Sequence, residues 1–220
     1  NKTYCQKDGN IEEFGTFENV STQGQRNDFQ GLKEFIVSSP TWPSDAIIAE
    51  QFTSLWMRYG RRCKELRDLL RVPAALEVGP YKPGWQTVLK DRLMAPPNDR
   101  KIYFVVDEQG NQGKSWFCRK FLSDNEKETQ LLSIGKRDDL AYAIDETKKF
   151  FLFDIPRGNM RYLQYGVLES LKNRIIFSSK YVSTTKRLLT VPHVVVFCNE
   201  DPDREALTRD RYNIMNIRVL

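Results

Sequence analysis

Histidine occurs once in this chain, at His193, and no Cys-x-x-Cys pair occurs among Cys5, Cys63, Cys118 and Cys198. A zinc site needs ligands in close pairs, so neither a structural nor a histidine-based catalytic zinc centre can be built from these residues. Widely spaced cysteines without a framework fit free thiols in a reducing compartment. No apolar run approaches the roughly 20 residues of a membrane span, so no membrane partner is expected. There is no signal peptide, internal repeat or low-complexity tract. The chain opens on Asn-Lys-Thr-Tyr-Cys-Gln without an initiator Met, which fits a piece of a longer protein.

The 220 residues are 40% hydrophobic and 29% charged, a balance that folds rather than stays disordered. A formal net charge of +5 favours an anionic partner, nucleotide or nucleic acid, although scattered surface lysines and arginines give the same excess. Residues 1–25 are polar and turn-rich, a linker or the remnant of another domain. Over 26–78 the pattern is helical. Ile48, Phe52, Leu55, Trp56, Tyr59, Cys63, Leu66 and Leu70 recur at three- and four-residue steps as one stripe. Pro43-Ser44-Asp45 supplies a start and Pro73 a stop. Arg58, Arg61, Arg62, Lys64 and Arg67 fall mostly off the stripe, on a solvated face or a subunit contact.

From 79 onward the rhythm changes. A Gly/Pro-rich loop leads into a short helix from Trp85 to Leu93, stopped by Pro96-Pro97. Continuous apolar runs follow at Ile102–Val106, Phe150–Phe153 and Val194–Phe197, the pattern of strands buried on both faces. Helical stretches near 115–123 and 161–172 lie between them. This alternation predicts an α/β domain with a largely parallel sheet over 79–220.

The first strand runs into Asp-Glu-Gln-Gly-Asn-Gln-Gly-Lys-Ser-Trp, and a helix follows. Strand, glycine loop and helix form the setting of a phosphate-binding loop. Gly110 and Gly113 let backbone N–H groups approach phosphate, with Asn111, Gln112 and Trp116 completing the segment. The helix start offers free N–H groups to an anion. Lys114 reaches the β and γ phosphates and Ser115 holds Mg²⁺. Glu108 stands where the full motif has glycine; it either weakens the site or points outward, and the outward orientation is expected. Asp154 ends the second strand, where a carboxylate holds Mg²⁺, and Asn199 ends the third, placed to orient water or sense the γ-phosphate. Ligands of open α/β sheets bind at those carboxyl ends. The base-reading Asn-Lys-x-Asp of GTPases is absent, since Glu200 takes the lysine's place. ATP and Mg²⁺ are the cofactors expected.

Four segments carry a family resemblance: GNQGKSW, FDIPRGNMRYLQYGVLESLKNRIIFSSKY, HVVVFCNEDP and TRDRYNI. With NKTYCQKDGNIEEFG at the start, they resemble replication initiator (Rep) proteins of small circular single-stranded DNA viruses, nanovirus-like and circovirus-like. The resemblance implies a superfamily 3 helicase of AAA+-like P-loop fold. A helical oligomerisation domain precedes it, and the assembly is usually a hexameric ring moving 3′-to-5′ on single-stranded DNA in the host nucleus. It also implies a nicking endonuclease, of which Tyr-Cys-Gln-Lys is the last motif, with Tyr4 as nucleophile and Lys7 as helper. That nuclease needs metal-binding histidines, which are absent. His193 reads as a packing or strand-start residue. By the same resemblance Lys114 and Ser115 are Walker A positions, Asp154 the Walker B acid and Asn199 motif C. Ile155 follows Asp154 where relatives often have a second acid, so no general base is assigned. Lys180, Tyr181 and Lys186 fall in the DNA-contacting region, although the same stretch also reads as an ordinary hairpin. Arg211, or else Arg209, matches the arginine finger. Two other readings stay open: an origin-binding assembly module with little ATPase activity, and a P-loop small-molecule kinase.

Overall fold

A computed structural model describes residues 27–71, 76 and 79–217. The chain divides into two compact units, at Ala74 and Ala75.

In the first unit, α1 (Asn27–Ser38), α2 (Asp45–Gln51) and α3 (Thr53–Leu69) bury Leu32, Ile36, Ile48, Leu55 and Cys63. Helix α2 starts where Pro43-Ser44-Asp45 predicts, with the Ser44 hydroxyl accepting from the Ile47 N–H at 3.3 Å. The expected stripe is interrupted at Phe52, which leaves helical geometry (φ −124°, ψ 45°). Beside it the Thr53 hydroxyl donates to the Ala49 carbonyl at 2.9 Å, a local bond that competes with the helical ladder. The stripe still packs as one face, because Phe52, Trp56, Tyr59, Leu66 and Leu70 lie against the same core. Arg58, Arg61, Arg62 and Lys64 are exposed, while Lys64 and Arg67 both pair with Asp45 at the start of α2.

The second unit is α/β. A five-stranded sheet runs in the order β2-β3-β6-β1-β7, every neighbouring pair parallel. The strands are β1 (Ile102–Val106), β2 (Thr129–Leu132), β3 (Phe150–Asp154), β6 (His193–Cys198) and β7 (Tyr212–Asn216). The three expected runs form the centre, and the register explains why they are apolar without alternation. Phe104, Val106, Phe151, Phe153, Val194 and Val196 face a core shared with α6 (Arg137–Ala143) and α7 (Tyr165–Asn173). Val105, Leu152, Val195 and Phe197 face the opposite core, shared with α4 (Trp85–Met94) and α5 (Lys114–Asp124). Helices on both faces bury both sides of each central strand.

Edge strands β2 and β7 and helix α6 add to the predicted elements, and the stretch that also read as a hairpin is one, β4 (Ile175–Ser178) antiparallel to β5 (Thr184–Arg187). Among the described residues Cys63, Cys118 and Cys198 are buried free thiols, as expected; burial pushes the Cys198 thiol up to about 12. No helix among the described residues is long and apolar enough to cross a membrane.

His193 is a packing residue at the start of β6. It stacks on Phe150, and its Nε2 lies 3.0 Å from the Ala95 carbonyl. Burial lowers its pKa to about 4, against a rise from the Ala95 carbonyl. The unfolded chain therefore binds a proton between about pH 6.5 and 4 that the folded chain refuses, so stability falls as pH falls through that window. Relative to His193→Gln, the native chain should lose about 2 kcal/mol more between pH 7 and pH 5, read from denaturant midpoints. Equal losses would remove His193 as the cause.

Candidate nucleotide site

Strand β6 lies between β1 and β3, so the loops leaving the carboxyl ends of these three strands are neighbours. Lys114, Ser115, Asp154 and Asn199 line one cavity of about 460 Å³, together with Asn111, Gly113, Trp116, Arg119, Ile155 and Pro156. The sequence-predicted site residues of the three strand ends thus converge on one cavity.

The loop 107–113 owes its shape to left-handed backbone at Gly110 (φ 86°), Asn111 (φ 65°) and Gly113 (φ 82°). Glycine adopts this region without penalty and asparagine more readily than most residues. Successive turns of this kind gather backbone N–H groups on one side, as anion-binding nests do. Helix α5 then begins at Lys114, adding its free N–H groups and positive dipole end.

Inside the loop lies Asp107, fully buried. Its carboxylate accepts from the Gly110 N–H at 2.8 Å, the Gln112 N–H at 3.2 Å and the Lys114 ammonium at 2.9 Å. Burial pushes this carboxyl up, but Lys114 and the two N–H groups outweigh it and hold it below its ordinary value. Glu108 is exposed and does not line the cavity, as the outward expectation has it. The acid that matters is its neighbour, which the sequence reading passed over. An Asp three residues before a glycine, at the end of a buried strand, is the available signal for a side chain that closes a turn on the backbone.

On the outer side, four loop carbonyls take donors from distant segments. Trp85 Nε1 donates to Gln112 at 3.2 Å and Gln86 Nε2 to Gly113 at 3.3 Å. Arg157 Nη2 donates to Glu108 at 3.3 Å and Gln109 at 2.9 Å. Trp85, Gln86 and Arg157 were not legible as site residues, because no motif spacing relates them to the loop. Asn199 Nδ2 donates to the Asp107 carbonyl at 2.6 Å, which fixes the amide and leaves Oδ1 as its acceptor.

The other predicted residues are placed differently. Lys186 donates to the Ile144 carbonyl at 2.6 Å and to that of Tyr142, so its ammonium caps the end of α6. Lys180 pairs with Asp139 at 2.7 Å. Both lysines, expected at DNA phosphates, thus have partners within the chain, whereas Tyr181 and Val182, in the turn between β4 and β5, are 79% and 76% exposed. Arg211, expected as the arginine finger, does not project from the surface. It is buried; its Nη2 forms an ion pair with Glu169 at 3.1 Å and donates to Asn173 at 3.2 Å, tying it to α7. Arg209 is exposed on the same 3-10 turn. Tyr4 and Lys7 lie outside the described residues.

A parallel, doubly covered sheet with a glycine loop between its first strand and the next helix is compatible with a P-loop-like α/β fold. Among curated proteins the chain matches Para-Rep C9 of Faba bean necrotic yellows C9 alphasatellite, at 39% identity over 60% of this chain and 47% of that protein. It matches Para-Rep C1 of Milk vetch dwarf C1 alphasatellite at 31% over 70% of this chain and 54% of that protein. Para-Rep C2 of Milk vetch dwarf C2 alphasatellite aligns over 98% of this chain and 71% of its own length, at 28% identity. The chain is thus a homologue of the Para-Rep proteins of alphasatellites and a relative of the Rep proteins of circular single-stranded DNA replicons. It spans about half the length of the first two relatives. No family model matches it. Among solved structures, the apo C-terminal region of NrS-1 is similar at a TM-score of 0.34 and 12% identity over 54% of this chain and 29% of that one, too slight to bear on the fold.

Removing either partner of the Lys114–Asp107 pair strands the other. Lys114→Ala should cost about 2 kcal/mol or more of folding stability, and Asp107→Ala a similar amount. The double variant should lose less than the sum, measured as a coupling energy by denaturant unfolding. Additive losses would mean the pair is not coupled.

Proposed function

We propose that this chain is the ATP-hydrolysing part of a Rep-type replication initiator, moving on single-stranded DNA as a ring of copies. The observation that carries this reading is the convergence of Lys114, Ser115, Asp154 and Asn199, from three adjacent strand ends, on one cavity. Inward N–H groups of the loop and the Lys114 ammonium suit the β and γ phosphates of ATP. Mg²⁺ suits Ser115 and Asp154, because this ion usually takes one or two protein oxygens and completes its shell with phosphate and water. Among the described residues no cluster of three acidic, histidine or cysteine side chains offers an alternative cage. When bound, the ion would offset charge building on the transferred phosphoryl group. Asn199, its amide anchored on Asp107, keeps Oδ1 to accept a hydrogen bond from attacking water. No residue is assigned as the base, since Ile155 follows Asp154 and is buried.

For DNA, the β4–β5 hairpin supports stacking on Tyr181 more than phosphate capture by Lys180 or Lys186, both of which are engaged. For assembly, Val37, Met57 and Leu69 of the helical unit are exposed apolar groups available to a second copy. Arg209, rather than Arg211, is then the candidate finger. A host-nuclear location goes with the initiator reading. A second reading, an assembly module with little ATPase activity, draws on the same loop, because Asp107 neutralises Lys114 before any phosphate arrives.

ATP hydrolysis with and without single-stranded DNA separates the two. The native chain should be stimulated by DNA, and Lys114→Ala should lose about a hundredfold or more in rate. Equal slow hydrolysis by both would leave the assembly module. For the hairpin, Tyr181→Ala should weaken single-stranded DNA binding by about tenfold or more while Lys186→Ala changes it less. The reverse order, in a fluorescence-anisotropy titration, would return the contact to the lysines.

A further inference from the structure

We infer that Arg157 is a positioning residue of the phosphate loop, one link in a ring of contacts that registers the loop against the ends of β3 and β6. The inference rests on the nucleotide-site reading and extends it to a residue of the FDIPR segment to which the sequence assigns no role.

A loop that turns its N–H groups inward turns carbonyl oxygens outward, and the outward oxygens need donors to hold that orientation. Trp85 and Gln86 serve the Gln112 and Gly113 end of the loop, from a helix already packed in the core. Among the described residues Arg157 alone serves the Glu108 and Gln109 end. It is exposed, and among the described residues it has no acidic partner, so its contacts add to the loop rather than to core packing. Its guanidinium also lies close over the turn: a Cβ on Gly110, whose left-handed backbone (φ 86°) already favours glycine, would lie 2.7 Å from Arg157 Nη2.

The ring closes through the neighbouring residues. Gly158 donates its N–H to Glu200 Oε1 at 2.7 Å. Glu200 follows Asn199, whose side chain holds the Asp107 carbonyl at 2.6 Å. Asp107 in turn holds the inner N–H groups of the loop. Loop, Arg157-Gly158 and Asn199-Glu200 are therefore fastened pairwise, and Arg157 stands three residues after Asp154. A displaced Arg157 releases the outer carbonyls, and the inner donors then lose their alignment on phosphate.

Equilibrium binding of MgADP to the full chain tests this, with unfolding midpoints measured without nucleotide. Arg157→Ala should weaken binding about tenfold, as expected for losing charge-assisted bonds at a binding loop, with its midpoint unchanged. Arg157→Lys, which keeps a cationic donor, should recover most of the affinity. Glu200→Ala, which frees Gly158, should weaken binding in the same direction by about two- to threefold. If Arg157→Ala binds as the native chain does while Lys114→Ala does not, the inference is overturned and the nucleotide site stands. If the native chain binds no MgADP, the nucleotide reading itself falls. A lowered midpoint in Arg157→Ala that lysine fails to restore would assign the residue to general folding instead, and native-like binding by Glu200→Ala would break the ring.

Discussion

A carboxylate buried beneath the glycine loop sets the terms for the candidate site. Asp107 is sealed from solvent, and its charge is tolerable there only because two backbone N–H groups and an ammonium surround it. Those same contacts fold the loop, since they fix the turn at Gly110 and draw Lys114 inward. Lys114 and the Gln112 N–H face this internal anion, and on the proposed nucleotide reading a phosphate competes with it for the same donors.

The sheet supplies the rest. Placing β6 between β1 and β3 brings Asn199 beside the loop and Asp154 into the same cavity, although these residues are separated by tens of positions in the chain. Burial on both faces keeps the three strands rigid, so their polar ends are held by the core rather than by one another. Only the loops beyond those ends need additional fastening, and Trp85, Gln86, Arg157 and Glu200 provide it. Rigid strands with latched loops form a frame suited to preorganised phosphate contacts.

The central strands were legible because residues buried on both faces read as unbroken apolar runs. Edge strands β2 and β7 carry Gln130, Asn213 and Asn216, and their half-exposed residues give no such run. That Lys114, Ser115, Asp154 and Asn199 would share one cavity was legible because they follow neighbouring strand ends of an open α/β sheet. Arg157 was not, since it meets the loop across 48 residues, and local spacing cannot encode that contact. The internal partners of the hairpin lysines were illegible for a related reason. A basic residue in a sequence looks available, whereas Lys186 is taken up by the carbonyls ending α6. Arg211 was likewise a surface candidate by sequence and is an interior contact of α7 in the fold.

Backbone amide chemical shifts on adding MgADP bear on the site itself, independently of turnover and oligomer formation. The largest changes should fall on residues 110–116, with smaller ones at Asp154 and Asn199, as donors exchange Asp107 for phosphate. Changes confined to other parts of the chain, or none at all, would contradict a nucleotide site at the ends of these three strands.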